Sequence, residues 1–104
     1  MKTSELTGAA LDWAVAKCGF VQGTARALIA SEAKPYSTDW SQGGPIIERE
    51  RISANREVLA HEWLACTYDT RIARSGPTAL IAAMRCYVAS VLGDEVEIPS
   101  EVTA

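Results

Sequence analysis

The sequence predicts an α+β fold, a small antiparallel sheet packed against two alanine-rich terminal helices. Three observations predict it. Near each end, apolar residues recur at helical spacing and run up to a glycine. Trp63–Tyr68 has the aromatic and apolar content that suits a strand. Between these, Ile46–Ser53 alternates apolar and charged residues, imperfectly. The sheet is placed near 50–54 and 62–68, and the alternative on the same residues is a mostly helical chain. A length of 104 residues fits one domain spanning 1–104.

Taken in order, Thr3 or Ser4 is the expected cap of the first helix, with Glu5 in its first turn and Gly19 as its stop. After Gly8 only Asp12 and Lys17 interrupt the apolar surface of that helix. Thr24–Lys34 reads as helix or short strand. Lys34–Pro45 carries two prolines and Gly43-Gly44 and reads as an ordered loop. Asn55–Ala60 is helical by composition. The last helix is the sharpest element: Thr78 caps it, Ala79–Leu92 forms it, and Gly93 ends it. It is apolar almost all round, so it must be covered on more than one side, either by the sheet and the first helix or by a second copy in a homo-oligomer. Its small residues Ala82, Ala83, Cys86 and Ala89 invite close approach of a neighbouring backbone. Beyond Gly93, about 94–104, the acidic tail is expected at the surface or frayed.

Composition excludes more than it selects. The net charge of -3 argues against bulk nucleic acid as a partner and is too small for an acidic DNA mimic. Cys18, Cys66 and Cys86 are widely spaced and odd in number, so they read as core fillers, with no metal site and no disulfide framework. No cofactor is implied. Asp12 breaks the apolar stretch Ala9–Val15, which therefore is no signal-peptide core, and no run reaches the roughly 18 residues of a membrane helix. A cytoplasmic protein without a membrane partner is expected.

No catalytic constellation stands out. His61 is the only histidine, and Glu48 and Glu50 alternate with Arg49 and Arg51 as a solvated surface would. No catalytic residue is assigned, and binding ranks ahead of an enzyme. Arginine is more informative, since seven of the ten basic residues are Arg, whose planar fork suits phosphate and carboxylate. Arg85 is the one charge in the last helix, so it must pair with an acid (Asp12 is the candidate), reach solvent, or face a ligand. Ser75-Gly76-Pro77-Thr78, preceded by Arg71 and Arg74, leads into a helix N-terminus that offers free N–H groups to an anion. Trp40 in the stretch Tyr36–Pro45 offers a stacking surface, Asp39 and Gln42 offer polar recognition, and Gly43 and Gly44 permit close approach.

The stretches KTSELTGAALDWAVAKC (2–18), YSTDWSQGGPIIERE (36–50) and GPTALIAAMRCYVASVLGDEVEIP (76–99) resemble the NinX-like proteins of lambdoid phages and prophages. Segments 19–35 and 51–75 carry no recognisable likeness. The family's usual GPTP before the last helix becomes GPTA here, which leaves the capping intact. The resemblance implies a phage or prophage origin and the cytoplasm of the bacterial host. It implies no activity.

Two functions follow as expectations. The first is a non-enzymatic binder, plausibly oligomeric, that sequesters a small anionic nucleotide-like ligand such as a host immune signal. Its site is Trp40, Gln42, Asp39, Gly43, Gly44, Ser75, Gly76, Thr78 and Arg85. The second is a protein-interaction module acting on a host or phage protein, anchored on Trp40, Tyr36, Ile46 and Ile47. A nucleotide-processing enzyme using Glu48 or Asp39 is a distant third.

Overall fold

The computed structural model describes residues 1–23, 33–57 and 61–103. Their order is a 3-10 turn at Thr3–Glu5, α1 (Gly8–Val21), α2 (Trp40–Glu50), β1 (Ser53–Glu57), β2 (Glu62–Cys66), β3 (Ala73–Gly76), α3 (Ala79–Leu92) and α4 (Ser100–Thr103). The strands form an antiparallel sheet in the order β1-β2-β3. The fold is α+β, as the sequence predicts.

Helix α3 organises the rest. The Thr78 hydroxyl accepts the Ile81 N–H at 3.1 Å and Gly93 ends the helix at φ 87°, which matches the predicted bounds. The helix packs against α1, α2 and all three strands. Its cover therefore comes from within one chain, the first of the two arrangements its apolar surface allowed. The small residues act as expected: Ala82, Ala83 and Cys86 are fully buried, and a Cβ on Gly76 would lie 2.9 Å from the Ala82 nitrogen. Strand β3 thus crosses α3 at a distance that only glycine allows.

Elsewhere the structure corrects the sequence reading. Helix α1 begins after Thr7, not at Thr3 or Ser4, and continues through Gly19 to Val21. The first residues are committed elsewhere, because the Thr3 N–H donates to the Asp94 carbonyl at 2.8 Å and its hydroxyl to the same oxygen at 3.2 Å. Gly19 has a helical neighbour on both sides, where its propensity costs about 1 kcal/mol relative to alanine. The tail is likewise not frayed at its start. The Val96 N–H donates to the Met1 carbonyl, the Met1 ammonium donates to the Val96 carbonyl, both at 2.9 Å, and Val96 is buried.

The predicted loop over 34–45 holds only to Asp39. From Trp40 the chain is helical, because the Asp39 carboxylate accepts the Ser41 N–H at 2.9 Å and caps α2. Arg51 closes that helix in the left-handed region at φ 55° while the Ile52 N–H returns to the Ile47 carbonyl at 3.0 Å, a Schellman arrangement without glycine. Asn55–Glu57 are strand, not helix, since pairing with β2 overrides their composition. The rest of that segment, 58–60, and most of Thr24–Lys34 lie outside the described residues. Strand β3 lies outside the predicted sheet: Ala73–Gly76 passes from exposed to buried and holds no β-branched residue to signal a strand. Cys18 and Cys86 are buried as expected, whereas Cys66 is half-exposed.

Candidate functional site

Where the N-terminus of α3 meets α2 and the sheet, an open depression of about 440 Å³ forms. Two indoles line it. Trp40 comes from the first position of α2 and Trp63 from the second position of β2. The first turn of α3 contributes Thr78, Ala79, Leu80 and Ile81. Ser37 and Thr38 complete it from the turn before α2, together with Pro77. None of the lining residues is charged.

Each part has a local cause. The Asp39 cap fixes where α2 starts and so where Trp40 stands; its two bonds from Ser41 hold the Asp39 carboxyl below the usual carboxylate range. Gly43 lets α2 descend onto the turn, since a Cβ there would collide with the Tyr36 carbonyl and come within 2.6 Å of Leu80 Cδ1. Cross-strand pairing places Trp63 between Arg56 and Gly76. The first three N–H groups of α3 have no intrahelical acceptor; the Thr78 hydroxyl takes that of Ile81, and the Thr78 carbonyl takes that of Ala82.

Ser37 is the unusual member. Its backbone N–H donates to Asp12 Oδ1 at 2.8 Å, which anchors the turn to α1. Its side chain is 1% exposed, and its hydroxyl has no hydrogen-bond partner among the described residues. Such a group costs roughly 1–3 kcal/mol. Ser37 belongs to the wall of the depression, but its hydroxyl oxygen is itself shielded from solvent.

Of the predicted site residues, only Trp40 and Thr78 line this depression. Asp39 caps α2 beside it. Gln42 and Gly44 lie on α2 half-buried, and Gly43 is a packing position. Ser75 and Gly76 belong to β3. Arg85 does not pair with Asp12 and does not line the depression: its Nε donates to the Leu6 carbonyl at 2.7 Å and its Nη1 to the Ser75 carbonyl at 2.9 Å. It stitches the chain start to an edge strand, and burial lowers its pKa. Arg74 is held by Asp94 at 2.6 Å and Arg71 lies 3.6 Å from Asp69, so the arginines expected at the α3 entrance serve ion pairs. The protein-anchor patch also loses members, since Ile46 is buried and Tyr36 and Ile47 are half-buried. His61 and Glu48 are exposed. Among the described residues no group of three or more His, Cys, Asp or Glu could hold a metal.

Trp63, Ser37 and Thr38 were missed as site residues. Trp63 carried a signal, a large indole in a short strand next to exposed His61 and Glu62. Ser37 carried none, because an unsatisfied hydroxyl is visible only once its surroundings are built.

The fold and this depression define a small α+β protein with an aromatic surface site at a helix N-terminus. Residues 2–91 match the family model described as Bacteriophage P22, NinX. The chain belongs to this phage protein family, and the match runs through 19–35 and 51–75 as well as the segments that carried the resemblance. No curated protein matches the chain. Among the described residues, no helix is long and apolar enough to cross a membrane.

Proposed function

We propose that the protein is a non-enzymatic binder that takes a small planar, anionic ligand of nucleotide type in the Trp40–Trp63 depression, acting as a phage accessory protein in the host cytoplasm. The observation that carries this reading is the pairing of two indoles, Trp40 and Trp63, with the first turn of α3 in one uncharged depression. An indole contributes about 1–3 kcal/mol by stacking on a base. A helix N-terminus adds about 0.3–1 kcal/mol for an anion. Two indoles and the helix end together reach about 2–7 kcal/mol, which is weaker than the roughly 8 kcal/mol of micromolar binding. A phage binder of this kind acts by sequestration, so cyclic dinucleotides and ADP-ribose are apt probes alongside mononucleotides.

The test is a tryptophan-fluorescence titration with these compounds, repeated on Trp40→Ala and Ser37→Ala. Saturable quenching that weakens about tenfold in Trp40→Ala is expected. A protein inert to every compound would sink the reading. The second reading, a module that binds a host or phage protein, retains one observation: Trp40 is 57% exposed. It gains ground if Trp40→Ala abolishes capture of a protein partner while no nucleotide quenches.

A further inference from the structure

The sheet has two edges, and the chain treats them differently. In an antiparallel ladder the N–H and C=O of one residue point to the same side, and those of the next residue to the other. The Thr67 N–H donates to the Ile72 carbonyl at 2.9 Å, which fixes that phase. By the same alternation Trp63 and Ala65 bond to β3, whereas Glu62, Leu64 and Cys66 bond to β1. On β3 the backbone groups of Ala73 and Ser75 therefore point outward. Both of their carbonyls are taken: Arg74 Nη1 donates to that of Ala73 at 2.7 Å, and Arg85 Nη1 to that of Ser75 at 2.9 Å. On β1 the outward residues are Ala54 and Arg56, and among the described residues no hydrogen bond from outside the sheet reaches their backbone groups. An open edge of this kind is a template for another strand.

We infer that β1 pairs with β1 of a second copy about a twofold axis at Asn55, joining the two three-stranded sheets edge to edge. Register selects this occupant. Antiparallel pairing centred on Asn55 sets Ala54 against the second copy's Arg56 and Arg56 against the second copy's Ala54. Each pair exchanges both N–H to C=O bonds, so every outward group of the strand is used. Glu57 then faces the second copy's Ser53 at either end, and no like charges stand opposite one another. Centring on Ala54 instead brings Arg56 opposite the second copy's Ile52, whose N–H already donates to the Ile47 carbonyl at 3.0 Å. Centring on Arg56 sets two guanidinium groups directly opposite, which is unfavourable. The strand itself is accessible, since all its residues are exposed except Ala54, which is half-buried.

The experiment is sedimentation equilibrium of the full chain from micromolar to millimolar concentration, on the parent and on variants whose fold is checked by far-UV circular dichroism. The parent is expected to reach twice the chain mass. Arg56→Pro deletes an outward donor and leaves the β1–β2 ladder its bonds, so it should stay monomeric. Asn55 faces its own copy across the axis, with about 4.5 Å between Cα atoms. Asn55→Asp and Asn55→Lys should therefore each be monomeric at low salt, and their equimolar mixture should dimerise again, an outcome that a folding defect cannot produce. A parent that is monomeric throughout overturns the inference and leaves the edge to a strand of another protein. A dimer that persists in Arg56→Pro and in both Asn55 variants overturns it too, because the seam then lies elsewhere.

Discussion

Ser37 shows how one side chain can be read against stability. Most buried polar groups in folded chains are satisfied, and an orphaned hydroxyl calls for an explanation. Here the backbone of the same residue is well used, through its bond to Asp12, while the side chain adds cost and nothing else in the unliganded fold. Ser37→Ala should therefore stabilise the protein by about 1 kcal/mol, a rise in melting temperature of roughly 4 °C. A variant that is less stable than the parent would show that the hydroxyl has a structural partner after all. Arg85 makes the opposite case. Its two carbonyl partners mean that the lone charge of α3 is explained by backbone satisfaction, a solution that no sequence pattern distinguishes from an ion pair or a ligand contact.

At the scale of elements, legibility followed the number of independent signals. Helix α3 had three (an apolar run, a threonine cap and a glycine stop), and its bounds were readable to the residue. Strands β1 and β2 were readable in place but shifted by a few residues, because period and composition fix a strand's existence better than its ends. Helix α2 was not readable as a helix. Its first turns contain Gly43, Gly44 and Pro45, which argue for a loop, and its formation depends on the Asp39 cap and on the seating of Gly43 against Tyr36 and Leu80. That misreading bears on the site. Placing Trp40 in a loop hid the reason for its position, which is the first residue of a capped helix next to the first turn of α3. Gly43 lets α2 pack closely on the Tyr36 turn and Leu80, and Gly76 lets β3 pack closely on α3.

Across the whole molecule, the two ends of the chain are joined. Met1–Thr3 pairs with Asp94–Val96, and Arg74 clamps Asp94 at 2.6 Å. The acidic composition of the tail suggested fraying; what composition does not show is that its alternate residues meet a partner strand. Removing residues 94–104 leaves Thr3 without its carbonyl acceptor and strips Val96 from the core. At about 1 kcal/mol for each of the four bonds lost between Met1–Thr3 and Asp94–Val96 and about 1.5–3 kcal/mol for the valine, a loss of roughly 6 kcal/mol is expected in urea unfolding. A truncated chain as stable as the full one would mean that the joined ends contribute nothing to stability.

Burial also sets an alkaline limit on the fold. It pushes the Cys18 thiol up to about 12 and the Tyr87 phenol up to about 12, while Arg49 donates to that phenol at 3.1 Å. Groups of this kind favour the fold while they stay neutral. Their contribution is complete below the unfolded values of about 8.5 for Cys and 10 for Tyr and is lost as pH climbs toward the folded ones.

The central claim is that Trp40, Trp63, Ser37 and the first turn of α3 form one ligand site. The most direct test is a nitrogen-15 NMR titration of the full chain with cyclic AMP. The account predicts saturable shifts of the Ser37, Thr38, Ala79 and Leu80 amides and of the Trp40 and Trp63 indole N–H groups. The amides of Asp69, Arg71 and Asp94 should stay still. Shifts confined to those last residues, or none anywhere, would contradict it.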